Sequence, residues 1–409
     1  MEKPKIRFKS FEKRWESYRL SEYSNYRRGS FPQPYGNKEW YGGDNAMPFV
    51  QVVDVLENLR LVADTKQKIS TLAQPMSVFV PSDSVIVTLQ GSIGRVAITQ
   101  YDAYVDRTIL IFEDYNSQTN KEFWAYTIRN KFEIERQKAP GGTIKTITKE
   151  ALSDFKVSIP EYTEQSAIGS LFRILDDLLA SYKDNLASYQ SLKATMLSKM
   201  FLRAGQTVPE IRLDGFEGEW EELQLSDICQ KVTEKNKDNK FNETFTNSAE
   251  FGIINQRDFF EKDISNEKSL NTYYVVRNND FVYNPRISNY APVGPIKRNK
   301  LGRTGVMSPL YFVFRIIDSN IDLNFLETFF DTNTWHKFMK LNGDSGARAD
   351  RFAIKDSVFL TMPIAFPSLP EQQAIGAYFS NFDNLINSHQ EKISQLETLK
   401  KKLLQDMFI

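Results

Sequence analysis

Residues 160–201 read PEYTEQSAIGSLFRILDDLLASYKDNLASYQSLKATMLSKMF, and residues 367–408 read PSLPEQQAIGAYFSNFDNLINSHQEKISQLETLKKKLLQDMF. The two segments align without a gap at an offset of 207, and about a third of the positions are identical. A repeat this long exceeds the roughly 20–50 residues of a solenoid unit, so it indicates a duplicated domain with a helix. Two copies in one chain favour a pseudo-two-fold molecule whose target has two similar halves.

The segments that open each half repeat as well. Pro4-Lys5-Ile6-Arg7 with Trp15 returns as Pro209-Glu210-Ile211-Arg212 with Trp220, at an offset of 205. The duplicated unit therefore runs from this short motif, through a globular region, to the end of the helix.

Both matching segments are predicted to be long helices. Pro160 and Pro367 precede them and Gly205 follows the first, which are typical helix boundary signals. About 40 residues lie between these signals, which corresponds to a length of about 60 Å. Apolar residues recur with a period of 3.5, which predicts a coiled coil. The predicted seam includes Ile168, Leu171, Leu175, Leu178 and Leu192 of the first helix, and Ile375, Tyr378, Phe382, Leu385 and Leu399 of the second.

Polar residues interrupt the predicted seam at equivalent places, such as Asn185 and Lys392, and polar seam residues often set register. One alternative is that each helix packs only on its own globular region. The apolar stripes are too long for a small domain to cover, so pairing of the two helices is favoured. If the duplication obeys a two-fold axis, the pairing is antiparallel.

The globular regions mix strands and helices. Short apolar or β-branched runs bounded by Gly, Pro and Asp predict strands, and charged and aromatic residues at helical spacing predict helices. The predicted strands are 84–89, 94–99, 107–112, 155–159, 280–283, 310–317 and 357–364, and the predicted helices are 121–137 and 323–341.

The fold class is therefore α+β. Two mixed α/β domains related by pseudo-two-fold symmetry are separated by two long helices that form an antiparallel coiled coil. The predicted boundaries are 1–158 for the first domain, 159–205 for the first helix, 206–365 for the second domain and 366–409 for the second helix.

The composition of the chain disfavours several classes of protein. Lys and Arg number 52, as do Asp and Glu, so the net charge is zero and a non-specific polyanion binder is not indicated. Residues 277–303 nevertheless hold six cations and one acid, which predicts a local basic face. No segment has the roughly 18–20 apolar residues of a membrane span. The single Cys229 excludes an internal disulfide framework and fits a cytoplasmic protein.

The sequence carries no catalytic signature and no predicted metal site. It lacks a phosphate-binding G-x-x-x-x-G-K-[ST] loop, and its only histidines, His336 and His389, are far from each other and from Cys229. Zinc ligation and a Cys-His nucleophile are therefore disfavoured. The tripeptide 284–286, Asn-Pro-Arg, shares its start with the signature of amino-methyltransferases but lacks the second proline and the aromatic residue.

Loops that mix Arg, Lys, Asn, Tyr, Gly and Pro are the remaining candidates for function. Arg can donate two hydrogen bonds to guanine and Asn can pair with adenine in the major groove, while Lys contacts phosphate. Ordinary basic loops are the alternative. The candidate DNA-contacting residues are Arg27, Arg28, Gln90, Ser92, Arg95, Lys145, Asn284, Arg286, Asn289, Tyr290, Lys297, Arg298, Arg348 and Arg351.

The doubled arrangement resembles the specificity subunits of type I restriction-modification enzymes over the whole chain. The likeness rests on the paired Pro-x-Ile-Arg starts, the Glu-Gln-x-Ala-Ile-Gly motifs at 164–169 and 371–376, and the helix ends at 192–201 and 399–408. It implies that each globular region is a target-recognition domain reading one half of a split, asymmetric DNA sequence. The helices would then set the unread gap.

The resemblance also implies partners. Two modification subunits carrying S-adenosylmethionine would methylate adenine, and restriction subunits containing the motor and nuclease would join for cleavage. The chain itself would hold no cofactor and be no enzyme. The rival interpretation is a coiled-coil adaptor that bridges other proteins without binding DNA.

Overall fold

The computed structural model describes residues 4–138, 152–259, 267–344 and 350–408. The chain divides into two compact units, and each combines one globular region with portions of both long helices. Unit 1 contains Met1–Asp184 and Gln390–Ile409, and unit 2 contains Asn185–His389.

The described residues of unit 1 form two four-stranded sheets and one two-stranded ribbon. The first sheet has the order β2-β9-β6-β7 and the second β4-β3-β8-β5, while β1 pairs with β10. The strands are β1 (Glu16–Arg19), β2 (Ser24–Arg28), β3 (Met47–Val50), β4 (Gln67–Ile69), β5 (Val78–Val80), β6 (Val85–Thr88), β7 (Val96–Ile98), β8 (Ala103–Val105), β9 (Ile109–Tyr115) and β10 (Lys156–Ile159). The described helices are α1 (Leu20–Tyr23), α2 (Lys121–Lys138), the first portion of α3 (Tyr162–Met200) and the last portion of α9 (Leu369–Met407).

Unit 2 contains a four-stranded sheet in the order β12-β19-β16-β17, and its ribbons pair β11 with β20, β13 with β14 and β15 with β18. Its strands are β11 (Glu221–Gln224), β12 (Cys229–Lys231), β13 (Phe245–Ser248), β14 (Gly252–Asn255), β15 (Tyr274–Val276), β16 (Phe281–Tyr283), β17 (Ile296–Arg298), β18 (Gly305–Met307), β19 (Phe312–Ile316) and β20 (Pro363–Phe366). Its described helices are α4 (Leu225–Ile228), α5 (Gln256–Phe259), α6 (Leu323–Asp331), α7 (His336–Asn342), α8 (Asp356–Phe359), the last portion of α3 and the first portion of α9 (Leu369–Met407).

The mixed α+β class is confirmed, and two local predictions are wrong. The helix expected over 323–341 is divided into α6 and α7, because Thr332 ends α6 by donating its backbone N–H and its hydroxyl to the Phe329 carbonyl. The strand expected over 357–364 begins with helix α8, and extended structure starts only at Pro363.

The long helices pair in an antiparallel coiled coil. In unit 1, Asp176 contacts Lys400 and Lys183 contacts Glu397, so the residue number on α9 falls as that on α3 rises. The same holds in unit 2, where Tyr189 packs on His389 and Lys193 pairs with Asp383.

The predicted seam is correct at alternate positions and wrong by one residue at the others. Counting from Ile168, the inward residues of α3 follow at intervals of four and then three residues. The prediction placed them at intervals of three and then four. Leu178, Leu192, Leu385 and Leu399 are 41–46% exposed and lie outside the seam. Asn185 and Lys392 are exposed too. The inward residues of α3 are Ile168, Phe172, Leu175, Leu179, Tyr182, Leu186, Tyr189, Lys193, Met196 and Met200.

Candidate nucleic-acid interface

The repeated motifs hold the frame of each unit together. In unit 1 the Arg7 guanidinium donates through Nε and Nη2 to the two carboxylate oxygens of Glu164, both at 2.7 Å. In unit 2 Arg212 makes the same bidentate pair with Glu371, at 2.8 and 2.7 Å. Both carboxylates are buried, and each raises the pKa of its arginine.

The residue after each of these glutamates fixes the start of a long helix. Gln165 donates to the Pro160 carbonyl at 3.0 Å and accepts from the backbone N–H of Asn120, also at 3.0 Å. Gln372 does the same in unit 2 with Pro367 and Asp322. The glutamine therefore ties the helix start to the residue that precedes α2 or α6.

Close approach explains the glycine in the same motif. A Cβ on Gly169 would lie 2.4 Å from Oδ1 of Asn120, and one on Gly376 would lie 2.7 Å from Oδ1 of Asp322. Asn120 in turn accepts from the Phe123 N–H, so this polar side chain caps the packed helix. The Glu-Gln-x-Ala-Ile-Gly motif is thus a set of helix-docking contacts.

The opening motif of each half reaches the end of a long helix. The Ile6 N–H donates to the Asp406 carbonyl at 3.0 Å, and the Ile211 N–H donates to the Lys199 carbonyl at 3.0 Å. Phe408 stacks on Phe123 in unit 1. These contacts satisfy carbonyls at the helix end that lack partners within the helix.

Each unit presents a hairpin at the same place in its sheet. Residues 89–95 join β6 to β7, and residues 284–295 join β16 to β17. The sheet orders β2-β9-β6-β7 and β12-β19-β16-β17 make the two hairpins topologically equivalent. The loops that carry the candidate residues 90–95 and 284–290 are therefore one feature in duplicate, with different residues in each copy.

The hairpin of unit 1 is closed around a buried threonine. Thr88 accepts at Oγ1 from the Arg95 N–H at 3.0 Å, and its hydroxyl donates to the Ser92 carbonyl. Gln90 and Ser92 are exposed on this loop. Arg95 is half-buried, and its guanidinium faces the Val55 carbonyl at 3.4 Å and Glu57 at 3.5 Å.

Arg27 and Arg28 lie on β2. Arg28 pairs with Leu110 and Thr88 pairs with Ile109, so Arg28 and the 89–95 loop are at the same end of the sheet. Arg28 is exposed, while Arg27 forms an ion pair with Glu113 on β9. The structure thus brings Arg28 and the hairpin to one edge.

The longer hairpin of unit 2 is stiffened from inside. The buried Tyr283 hydroxyl donates to the Val293 carbonyl at 2.8 Å. Gly294 has a φ of +85°, and a Cβ there would lie 2.1 Å from the Asn284 carbonyl oxygen, so only glycine fits. Asn289 and Tyr290 form the exposed tip, where Tyr290 is 81% exposed.

Arg286 and Arg351 lie side by side in unit 2. They form an antiparallel backbone bridge, supported by the Phe352 N–H donating to the Pro285 carbonyl at 2.8 Å. The Arg286 side chain is exposed and makes a loose ion pair with Asp350 at 3.5 Å. The structure therefore adds the segment that begins at Asp350 to the same surface as the hairpin.

Three predicted contact residues have other partners. Arg298 is buried and contacts Asn324 at 2.6 Å and Glu327 at 2.8 Å, so it anchors α6 to β17 and its expected DNA contact is not supported. Lys297 forms an ion pair with Asp331 at 2.6 Å, which is a second contact between β17 and α6. The Asn284 amide is half-buried and donates to the Asn247 carbonyl at 2.8 Å, so it shapes the loop.

Lys145 and Arg348, also predicted to contact DNA, lie outside the described residues.

A cleft lies beside the hairpin in each unit. The cleft of unit 1 has a volume of about 1170 Å³ and is walled by residues 91–96, α2 and the two long helices. The cleft of unit 2, about 810 Å³, is lined by Tyr274, Tyr283, Pro285 and Phe352 among other residues. Residues 91–96 of the first hairpin line the cleft of unit 1, and Pro285 of the second lines the cleft of unit 2.

Within the described ranges, no group of three or more His, Cys, Asp or Glu is arranged to hold a metal ion. The described helices include none that is long and apolar enough to cross a membrane. Burial raises the pKa of the Cys229 thiol to about 12, so this cysteine is a packing residue.

The sequence reasoning missed the lysines at inward positions of the coiled coil. Lys193 and Lys400 lie in the seam beside Asp383 and Asp176. The two lysines recur at the repeat offset of 207, which could have indicated a shared position in the coiled coil. The apolar pattern instead favours the neighbouring Leu192 and Leu399 as seam residues.

Comparison with known proteins gives a consistent result. The family described as type I restriction modification DNA specificity domain matches residues 12–187 and again 217–398. The chain is similar to the specificity subunit of the type I restriction enzyme MjaVIII of Methanocaldococcus jannaschii, with 21% identity over 95% of this chain and 91% of that protein.

Two solved structures share the fold. The type I restriction-modification S subunit from M. genitalium superposes with a TM-score of 0.61 at 13% identity, over 100% of this chain and 99% of that one. A chain from a structural study of complex assembly and conformational transition in the type I R-M system gives a TM-score of 0.52 at 16% identity, over 96% and 97% of the respective chains.

Proposed function

Because this chain belongs to the family of type I restriction modification DNA specificity domains, we propose that it reads a bipartite, asymmetric DNA target with one globular region for each half. Its role is to supply DNA sequence specificity to a type I restriction-modification system. The proposed target-recognition domains are residues 1–158 and 206–365, and residues 159–205 and 366–409 are the spacer helices. The observation that carries the proposal is the pair of equivalent hairpins with different residues.

The exposed residues of the two hairpins are suited to reading base edges. In unit 2, Arg286 can donate two hydrogen bonds to guanine, while Asn289 can pair with adenine. Tyr290 offers an exposed ring next to them. In unit 1, Gln90 can pair with adenine and Ser92 can hydrogen-bond to a base edge, while Arg28 at the same sheet edge can contact phosphate. Different residues in the two hairpins support different half-sites.

The chemistry belongs to partners. We infer that two modification subunits, carrying S-adenosylmethionine, methylate an adenine in each half-site. Such methylation requires the base to leave the stack, at a cost of a few kcal/mol. Motor-nuclease subunits would join for restriction, with all components in the cytoplasm. The specificity subunit has a non-catalytic role, and we expect it to bind no cofactor of its own.

The outer faces of the long helices are the proposed docking surfaces for the modification subunits. Leu178 and Leu399 in unit 1, and Leu385 and Leu192 in unit 2, are equivalent residues at the repeat offset and all remain exposed. Exposed leucines at matching places in both units fit two copies of one partner.

Single-molecule sequencing for N6-methyladenine tests the proposal. DNA would be taken from cells that express the cognate modification subunit with and without this chain. We expect a gapped two-part motif that appears only with this chain. Unchanged methylation from subunits that demonstrably associate would instead favour the coiled-coil adaptor.

A further inference from the structure

The seam of the coiled coil contains one lysine–aspartate pair in each unit, and the two pairs are copies of each other. Asp176 and Asp383 are separated by the repeat offset of 207, as are Lys193 and Lys400. In unit 1 Lys400 pairs with Asp176, and in unit 2 Lys193 pairs with Asp383 at 2.5 Å.

The pair in unit 1 is deeply placed. Lys400 and Asp176 keep 11% and 13% of their side-chain surfaces exposed. The buried Tyr126 hydroxyl donates to Asp176, and the Lys400 ammonium lies 5.3 Å from the centre of the Tyr126 ring. Burial lowers the pKa of Lys400, and the Asp176 carboxylate opposes that shift. A charge placed there without its partner would be costly.

Charge at these positions distinguishes antiparallel from parallel pairing. Each helix carries an aspartate toward its start and a lysine toward its end. A parallel, in-register pairing would place Lys193 against Lys400 and Asp176 against Asp383, because the helices are copies. Antiparallel pairing places a lysine against an aspartate in both units.

Charge also distinguishes one register from its neighbours. An apolar heptad seam fits almost equally well after a shift of seven residues. Such a shift would bring Lys400 opposite either Lys183 or Gly169, and at the same time Lys193 opposite either Gln390 or Gly376. Neither shift matches a lysine with an aspartate at these four positions, and one places two lysines together.

We propose that the pairs Asp176–Lys400 and Lys193–Asp383 are the contacts that select the orientation and register of the two long helices. They are positioning residues. The unit 1 pair is buried and acts at some cost in stability, as buried polar pairs in coiled coils do, whereas Asp383 of the unit 2 pair is 48% exposed. Through the register they fix the number of base pairs between the two half-sites. This last step rests on the proposed function, whereas the register itself does not.

Thiol cross-linking with a short bifunctional maleimide in the full-length chain reports the register directly. The Lys183 Nζ lies 2.6 Å from the Glu397 Oε1, so a reagent about as long as these two side chains should join the thiols of K183C/E397C in the native register. K183C/Q390C and K183C/L404C report the shifts of one heptad in either direction. Cys229 is buried and stays out of the reaction.

The decisive variant neutralises both pairs with residues of similar size, D176N/K193M/D383N/K400M. We expect it to stay folded and to form cross-links at positions 390 or 404 that the parent chain does not form. The matched control is K401M/K402M, which removes two exposed lysines outside the seam and should cross-link only at 397.

A second comparison covers the case in which the neutral variant fails to fold. K193D should lose the native cross-link, and K193D/D383K should regain it, because the pair is restored with reversed charge. Cross-linking only at 397 in the neutral variant, or in K193D, would overturn the proposal and assign the register to the globular contacts of the helix ends. The proposal would also be overturned if K193D/D383K lost the native cross-link as completely as K193D alone. These cross-linking measurements need no DNA. A negative result for the register can therefore be told apart from a failure to find a bipartite DNA target.

Discussion

Arg7 and Glu164 join the start of the chain to the start of the first long helix through a buried, two-pronged ion pair with both distances at 2.7 Å. The Arg7 Nη2 also donates to the Lys13 carbonyl, so the guanidinium holds its own loop as well. Arg212 and Glu371 repeat the arrangement, with Arg212 donating to the Gly218 carbonyl at 2.6 Å. The motif is therefore a structural clamp that appears once in each unit.

Replacing Arg7 should destabilise unit 1 strongly. R7M leaves the Glu164 carboxylate buried without its partner, and breaking one side of a buried pair costs about 3–5 kcal/mol. Urea unfolding of the intact chain should show an earlier transition for unit 1. K13A, which removes the exposed pair with Glu161, is the control and should leave the curve unchanged. Equal curves for R7M and the parent chain would contradict the clamp.

Gly169 should not accept even one methyl group. A Cβ there would lie 2.4 Å from Asn120 Oδ1 and 3.0 Å from the Phe123 backbone nitrogen. G169A should therefore cost about 1–3 kcal/mol, the usual range for overpacking. Thermal unfolding would measure this, with G36A as the control, because nothing lies within 4 Å of a Cβ at Gly36. If G169A left the unfolding temperature unchanged, α2 would be able to move away from α3 without loss of stability.

Arg286 and Arg298 should respond differently to alanine, although both were predicted to contact DNA. Arg286 is exposed at the hairpin, so R286A should weaken recognition of the second half-site by about 1–3 kcal/mol and leave the first unaffected. Arg298 is buried against Glu327, so R298A should lower the stability of unit 2. Binding to duplexes altered in one half-site at a time, together with thermal unfolding, separates the two effects. Equal loss with R286A on every DNA sequence would indicate phosphate contact instead.

The large features of the fold could be predicted because the duplication made them visible twice. The helices, their antiparallel pairing and the α+β class followed from the repeat and its apolar pattern. The seam was placed one residue away at alternate positions, since Leu178 and Leu179 are equally apolar and the pattern alone gives no preference. The apolar pattern does not identify Lys193 and Lys400, because their burial depends on aspartates of the other helix, which a local pattern does not contain.

The sequence predicts where the candidate DNA-contacting loops lie better than it predicts which of their residues are exposed. Composition indicates the segments 90–95 and 280–303, and the structure places a hairpin within each at equivalent positions of the two sheets. Composition could not show that Lys297 and Arg298 face α6, because that depends on Asp331 and Glu327 more than 25 residues later in the chain. The DNA contacts themselves stay predictions.

A charge on the outer face of the long helices should block a modification subunit. L399D changes an exposed leucine that packs little within its own unit, so the fold should survive while an apolar docking surface is lost. Co-purification of the modification subunit with this chain should fall, and thermal unfolding of the chain alone should stay the same. K402D, a change at another exposed position of α9, is the control. Undiminished co-purification with L399D would move the docking surface elsewhere.

Lengthening both long helices by one heptad should widen the gap in the DNA target without altering either half-site. Seven residues inserted after Asp184 and seven after His389 keep the seam in phase and leave both lysine–aspartate pairs in place. Seven residues add about 10 Å of helix, which corresponds to roughly three base pairs of DNA. Sequencing for N6-methyladenine should then return the same two half-sites at a larger spacing. An insertion in only one helix breaks the match between the two and serves as the control, for which we expect loss of methylation. Retention of the original gap by the double insertion would show that the helices do not set it.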